Sequence, residues 1–164
     1  MASSLRLFLD TNVFIEAFIS EARKRFTPSR IILSLTYSKD YKLVLGEIVK
    51  IEVKRNLNRL EELEGIRGLV DLFENLLKTV GPIPVPIPTK EELRGYKSLL
   101  PYIKHESDLP VVVSAIKGKS DIIVSSNKGH IGTELEKRIE IPIFTPKELW
   151  EYILRSMFVK LRQR

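Results

Sequence analysis

The sequence predicts an α/β fold, a three-layer α/β/α sandwich around a mostly parallel central sheet of four to five strands. Three observations carry this. Short apolar runs of strand length alternate with stretches of helical apolar spacing along all 164 residues. The first run, Leu5–Leu9, ends in a carboxylate and passes into helical spacing at Val13, Phe14, Ala17 and Phe18. The composition, 43% hydrophobic and 29% charged, is that of an ordinary globular chain long enough for one full core.

The elements follow in order. After the strand at 5–9, a helix is expected from Asn12 to about Arg25. Pro28 stops it and opens another, from Ser29 to about Ser38. Lys42–Gly46 is a second strand, followed by a long helix from Glu47 to about Glu64. Gly65 and Gly68 interrupt, and an amphipathic segment runs from Ile66 to about Lys78. Gly81–Pro88 carries alternate prolines, which remove backbone donors and forbid helix. It reads as an extended, polyproline-like or edge segment, a rigid surface connection within one domain. Thr89 and Glu92 make a capping box for a helix to about Leu100. Pro101–Ser107 is a loop, and Leu109–Ile116 an apolar helix closed by Gly118. Asp121–Ser126 is a strand, Asn127–His130 a turn and Thr133–Arg138 a short helix. Ile141–Phe144 is the last strand, and Thr145 caps a final helix, Pro146 to about Met157. The expected organisation is one domain, 1–157, with a basic C-terminal tail, 158–164, that frays.

Composition bounds the chemistry. With no cysteine, disulfides and thiolate metal sites are excluded. The two histidines, His105 and His130, are too few for most zinc sites. A reducing, cytoplasmic home fits, and no apolar run approaches membrane-spanning length. A net charge of +6 favours a polyanionic partner. Neither GxGxxG after a strand nor GxxxxGK[ST] occurs.

The carboxylates at element ends are the informative residues. Asp10 closes the first strand, the end that faces the ligand crevice in open α/β sheets; its plain alternative is an N-cap. On the helix from Glu47, Glu47 falls with Lys50, Lys54 and Asn58 on the solvated face. Glu52 falls between Ile48 and Val49, at the edge of the apolar arc. A carboxylate there carries a desolvation cost unless it is paired or binds metal; the alternative is an ion pair with Arg55 or Arg59. Asp108 opens the apolar helix, where an N-cap reading competes; Glu106 is an exposed neighbour. Asp121 lies at the starting edge of its strand, away from the expected site. Ser125, Ser126 and Asn127 lie at the other end, where Asn127 supplies a neutral ligand oxygen. Oxygen-only clusters suit Mg²⁺ or Mn²⁺, and three crowded carboxylates repel one another unless a cation neutralises them. An acidic metal cleft in a basic chain points to phosphodiester hydrolysis.

These stretches, taken together, resemble the PIN-domain family, the nuclease fold that includes VapC-type toxins. Leu7–Phe14 is similar to its opening motif, a strand ending in Asp-Thr-Asn. Glu47–Val53 resembles the helix with the second acid, Glu52, and Asp108–Ala115 the helix with the third. Asp121–Lys128 resembles the strand and turn that commonly end in a fourth Asp, here Asn127. The resemblance implies a Mg²⁺- or Mn²⁺-dependent endoribonuclease, often a homodimer, with an antitoxin partner if it is a toxin. It implies metal-holding roles for Asp10, Glu52, Asp108 and Asn127. Asn12 and Ser125 are implied as positioning residues, Asp121 as a partial substitute for the fourth acid, and Lys128 as a phosphate contact. The Arg23-Lys24-Arg25 run is a further RNA contact or a solvated face. The alternative is a catalytically weak or inactive module that binds RNA or scaffolds a complex, which Asn127 favours. A haloacid-dehalogenase-type phosphotransfer site also opens on a strand ending in Asp, but it wants a second Asp where Asn12 stands.

Overall fold

The computed structural model describes residues 3–127 and 133–163. Among them, five strands form one all-parallel sheet: β1 (Leu5–Leu9), β2 (Tyr41–Gly46), β3 (Ile83–Val85), β4 (Ile122–Val124) and β5 (Ile143–Phe144). Their order is β3-β2-β1-β4-β5. Leu7 faces Leu43 on one side and Ile122 on the other, which fixes β1 at the centre. Leu7, Phe8, Leu9, Leu43, Val44 and Val124 are fully buried, as strands covered on both faces must be.

The helices are α1 (Thr11–Ala22), α2 (Pro28–Leu35), α3 (Glu47–Glu64), α4 (Leu69–Val80), α5 (Lys90–Gly95), α6 (Leu109–Lys117), α7 (Thr133–Ile139) and α8 (Pro146–Arg162). The crossovers β1→β2 and β2→β3 run one way along the sheet, and β3→β4 and β4→β5 the other. Right-handed crossovers therefore put α1–α4 on one face and α5–α7 on the other. Packing agrees: α1 contacts α2, α3 and α4, whereas α5 contacts α6. Phe73 of α4 meets Phe14 and Phe18 of α1 edge-to-face, with ring centroids 5.6 and 5.8 Å apart.

The proline-rich segment becomes the edge strand β3, with Pro84 opposite Leu45. An edge strand accepts alternate prolines because every second residue turns its backbone away from the neighbouring strand. Gly81, at φ 58°, ends α4 and turns the chain into this strand.

The strands expected at 121–126 and 141–144 shorten to Ile122–Val124 and Ile143–Phe144, the helix expected from Ile66 starts at Leu69, and three further segments depart from expectation. The helix opened by Thr89 ends at Gly95, and a 3-10 turn, Lys97–Tyr102, replaces its second half. Gly95 weakens the helix and Pro101 blocks its continuation. The first helix stops at Ala22; Arg23 caps it and Lys24 adopts φ 54°. Within that basic run, Arg23 is committed to Glu64, 3.1 Å away. The basic tail does not fray at Phe158: α8 continues to Arg162, with Lys160 and Arg162 favourably placed in its last turn. Its apolar residues there, Phe158 and Leu161, are exposed, so no core-facing stripe marked the continuation. No described helix is long and apolar enough to cross a membrane.

Candidate active site

In an open parallel sheet the ligand crevice forms where neighbouring strands lead their chains to opposite faces. Here that place is the C-terminal edge between β1 and β4. The two residues that leave those strands are Asp10 and Ser125, and the Ser125 hydroxyl donates to Asp10 Oδ2 at 3.0 Å. A cleft of about 350 Å³ opens above them, lined by Asp10, Asn12, Glu52, Asp108 and Asn127.

Asp10 is both cap and cleft residue. It holds the N-cap conformation of α1 (φ −72°, ψ 159°), and Oδ1 accepts from the Thr11 amide at 2.7 Å. Burial is the largest influence on its carboxyl and raises its pKa. The two hydrogen bonds oppose that shift, and the charges of Asp108 and Glu52 add to it. Both acids therefore lie within electrostatic reach of Asp10.

Glu52 is half-buried on α3, while Glu47 is exposed. Neither Arg55 nor Arg59 forms an ion pair with it; its Oε2 accepts from the Thr11 hydroxyl at 2.7 Å. Asp108 occupies the position before α6, yet its side chain makes no capping bond and lines the cleft instead. Fully buried Ser125 also accepts from the Asn127 amide at 3.3 Å, which ties the turn to the strand end.

Asp121 does not join this group. It sits at the opposite end of β4, where its Oδ2 accepts from the Arg6 amide at 2.7 Å. The sheet's direction separates it from Asp10, so it cannot replace a fourth acid. Lys128 and His130 lie outside the described residues. Sequence reasoning missed Thr11, whose hydroxyl reaches an acid 41 residues away. It also missed Arg55, Asn56 and His105 as cleft-lining residues. Asn56 and Arg55 stand one turn beyond Glu52, a spacing that could have flagged them; nothing local marked His105.

The donor set is dominated by oxygen, which suits a hard cation. Among the described residues, no three acidic or histidine side chains are close enough to form a ready-made ion cage. Mg²⁺ does not require one, since it keeps several waters and takes one or two carboxylates directly.

The family model for the PIN domain matches residues 6–129. The chain belongs to the PIN-domain family. Comparison with curated protein sequences returns no match. Among solved structures, this PIN domain is similar to a chain in the crystal structure of VapBC2 from Rickettsia felis bound to a DNA fragment from their promoter. The TM-score is 0.54 at 20% identity, over 85% of this chain and 97% of that one. At that identity the likeness speaks for the fold, and the five-stranded parallel sheet with its flanking helices is the PIN fold.

Proposed function

We propose that this PIN domain is a divalent-metal-dependent endoribonuclease of the toxin type, hydrolysing phosphodiester bonds of RNA. One observation carries the reading: acids from three separate elements, Asp10, Glu52 and Asp108, line one cleft at the sheet's switch point. Mg²⁺ or Mn²⁺ would be held by two or more of these carboxylates with help from Asn127. When bound, such an ion supplies an acidified water and offsets charge on the phosphate. The protein's own part is positional. Thr11 fixes Asp10 and Glu52 relative to each other through its amide and hydroxyl. Ser125 holds the second Asp10 oxygen and braces the Asn127 turn. Arg55 at the cleft wall supports contact with a phosphate.

The VapBC2 likeness supports an antitoxin partner for this chain. The exposed apolar end of α8, with Phe158 and Leu161 63% and 64% accessible, supports a homodimer. A second reading, a weak or inactive module that binds RNA, draws on Asn127, which lines the cleft with a neutral side chain. Mn²⁺-dependent cleavage of an unstructured RNA by wild type and Asp10→Asn separates the two. The nuclease reading expects loss of at least a hundredfold in the variant; equal rates overturn it.

A further inference from the structure

A second cavity, of about 420 Å³, adjoins the cleft on the side of α1 and α8. Its size is in the range of small-ligand sites. Two chain segments are common to both spaces. Asn12 lines the cleft, and Glu16, one helical turn on and about 6 Å along the axis, lines the cavity. Ser125 holds Asp10 under the cleft, and Ser126, the next residue, lines the cavity. The two spaces are thus lined by neighbouring residues of α1 and of the chain leaving β4.

Glu16, exposed to solvent, is the acidic side chain of its lining. The Ser29 and Ser126 hydroxyls both donate to Glu16 Oε2, at 2.7 and 3.0 Å, from two different elements. Behind them, the Thr27 hydroxyl donates to Ser20 Oγ at 2.9 Å, and Ser20 donates to the Glu16 carbonyl at 2.6 Å. This network fixes the carboxylate's direction, and among the described residues no cation pairs with it. Ile19, Pro28 and Pro146 supply apolar walls, and exposed Lys147 stands at the rim.

Resting on the ribonuclease reading, we propose that this cavity is a nucleobase pocket for an unpaired guanine next to the cleavage site, with Glu16 as the specificity residue. A carboxylate offers two acceptor oxygens; Oε2 already accepts from Ser29 and Ser126, so one guanine donor meets Oε1 and the other displaces a serine hydroxyl from Oε2. Guanine presents two adjacent donors, N1–H and the 2-amino group, on its Watson–Crick edge, whereas adenine and cytosine each present one amino group there. Single-stranded RNA is read through such edges, with the base face held against side chains. Lys147 is placed to take the flanking phosphate.

The probes are three fluorescent RNA octamers: all-adenosine, the same with one central guanosine, and the same with inosine, whose base lacks the 2-amino group. Binding is measured in Ca²⁺ by anisotropy, and Mn²⁺ cleavage is mapped separately. The guanosine octamer is expected to bind on the order of tenfold tighter than the all-adenosine one, with inosine between. Glu16→Gln, which keeps the hydroxyl contacts, is expected to bring all three within about twofold. Equal wild-type binding of the adenosine and guanosine octamers overturns the proposal, as does a guanosine preference that survives in Glu16→Gln. The inosine series needs no variant, so a misfolded mutant does not rescue the idea. Guanosine preference without Mn²⁺ cleavage sinks the nuclease reading and keeps the pocket; cleavage without preference does the reverse.

Discussion

The Thr11 hydroxyl donates to Glu52 Oε2 at 2.7 Å, joining the first turn of α1 to the middle of α3. The same residue's amide donates to Asp10 Oδ1 at 2.7 Å. One threonine thus sets the spacing of two cleft acids. Thr11→Val keeps the shape and removes the hydroxyl. Apparent Mn²⁺ affinity in the cleavage assay is expected to fall about tenfold or more, the usual effect of losing a residue that orients ligands. Thr11→Ser is expected to restore most of it. Unchanged Mn²⁺ dependence in the valine variant would show that this bond has no part in the site.

Asp10 sets a pH dependence whose sign follows from its burial. The folded state holds its carboxyl above the ordinary 3.8, chiefly by desolvation. The stability linked to this group is therefore full below 3.8 and is lost as pH rises through the raised folded value. In EDTA, Asp10→Asn is expected to melt above wild type at neutral pH, with the gap closing as pH falls towards about 4. Thermal melts across that range check it. A variant that melts below wild type at every pH contradicts the burial argument.

Asp121 makes the contrasting case. Its carboxylate receives the Arg6 amide at the far edge of the sheet. Asp121→Asn, which keeps an acceptor oxygen and loses only the charge, is expected to cost about 1 kcal/mol of stability and to leave RNA cleavage rates within about twofold of wild type. Denaturant titration and the cleavage assay together decide it. A large drop in cleavage at full stability would return Asp121 to the site.

Gly118 ends α6 where the chain passes beneath β2 and β3. A Cβ there would overlap Val44 Cγ1 and come within 3.0 Å of Val85 Cγ2. Gly118→Ala is expected to destabilise by about 1–3 kcal/mol through overpacking, several degrees in Tm. Val44→Ala in the same chain is expected to recover part of the loss. A neutral Gly118→Ala would mean that the edge strand β3 yields easily.

The sequence made legible what depends on local spacing. The strand ending at Asp10, the half-buried face of Glu52 and the cap of α8 all follow from residues within a turn or two of each other. What stayed hidden depends on partners far along the chain. Thr11 reads as a small polar residue until α3 brings Glu52 to it. Glu16 reads as an ordinary exposed helix residue until Ser29 and Ser126 donate to its carboxylate. Asp108 looked like an ordinary cap, but its side chain makes no capping bond and lines the cleft instead. The exposed apolar end of α8 lies beyond any core-facing pattern, so the helix outran its expected end.

The position of β1 has a consequence during synthesis. The strand made first of these five is the middle strand of the finished sheet, with Leu7 pairing Leu43 and then Ile122. Half of its ladder waits for 115 further residues, the sequence separation of Asp10 and Ser125. Such distant pairing folds slowly, because loop closure precedes its reward. The acid at residue 10 is thus made early and completed late. A nascent chain that stalls before β4 carries Asp10 without the Ser125 hydroxyl that holds it, so the cleft between β1 and β4 is assembled only once β4 has been made.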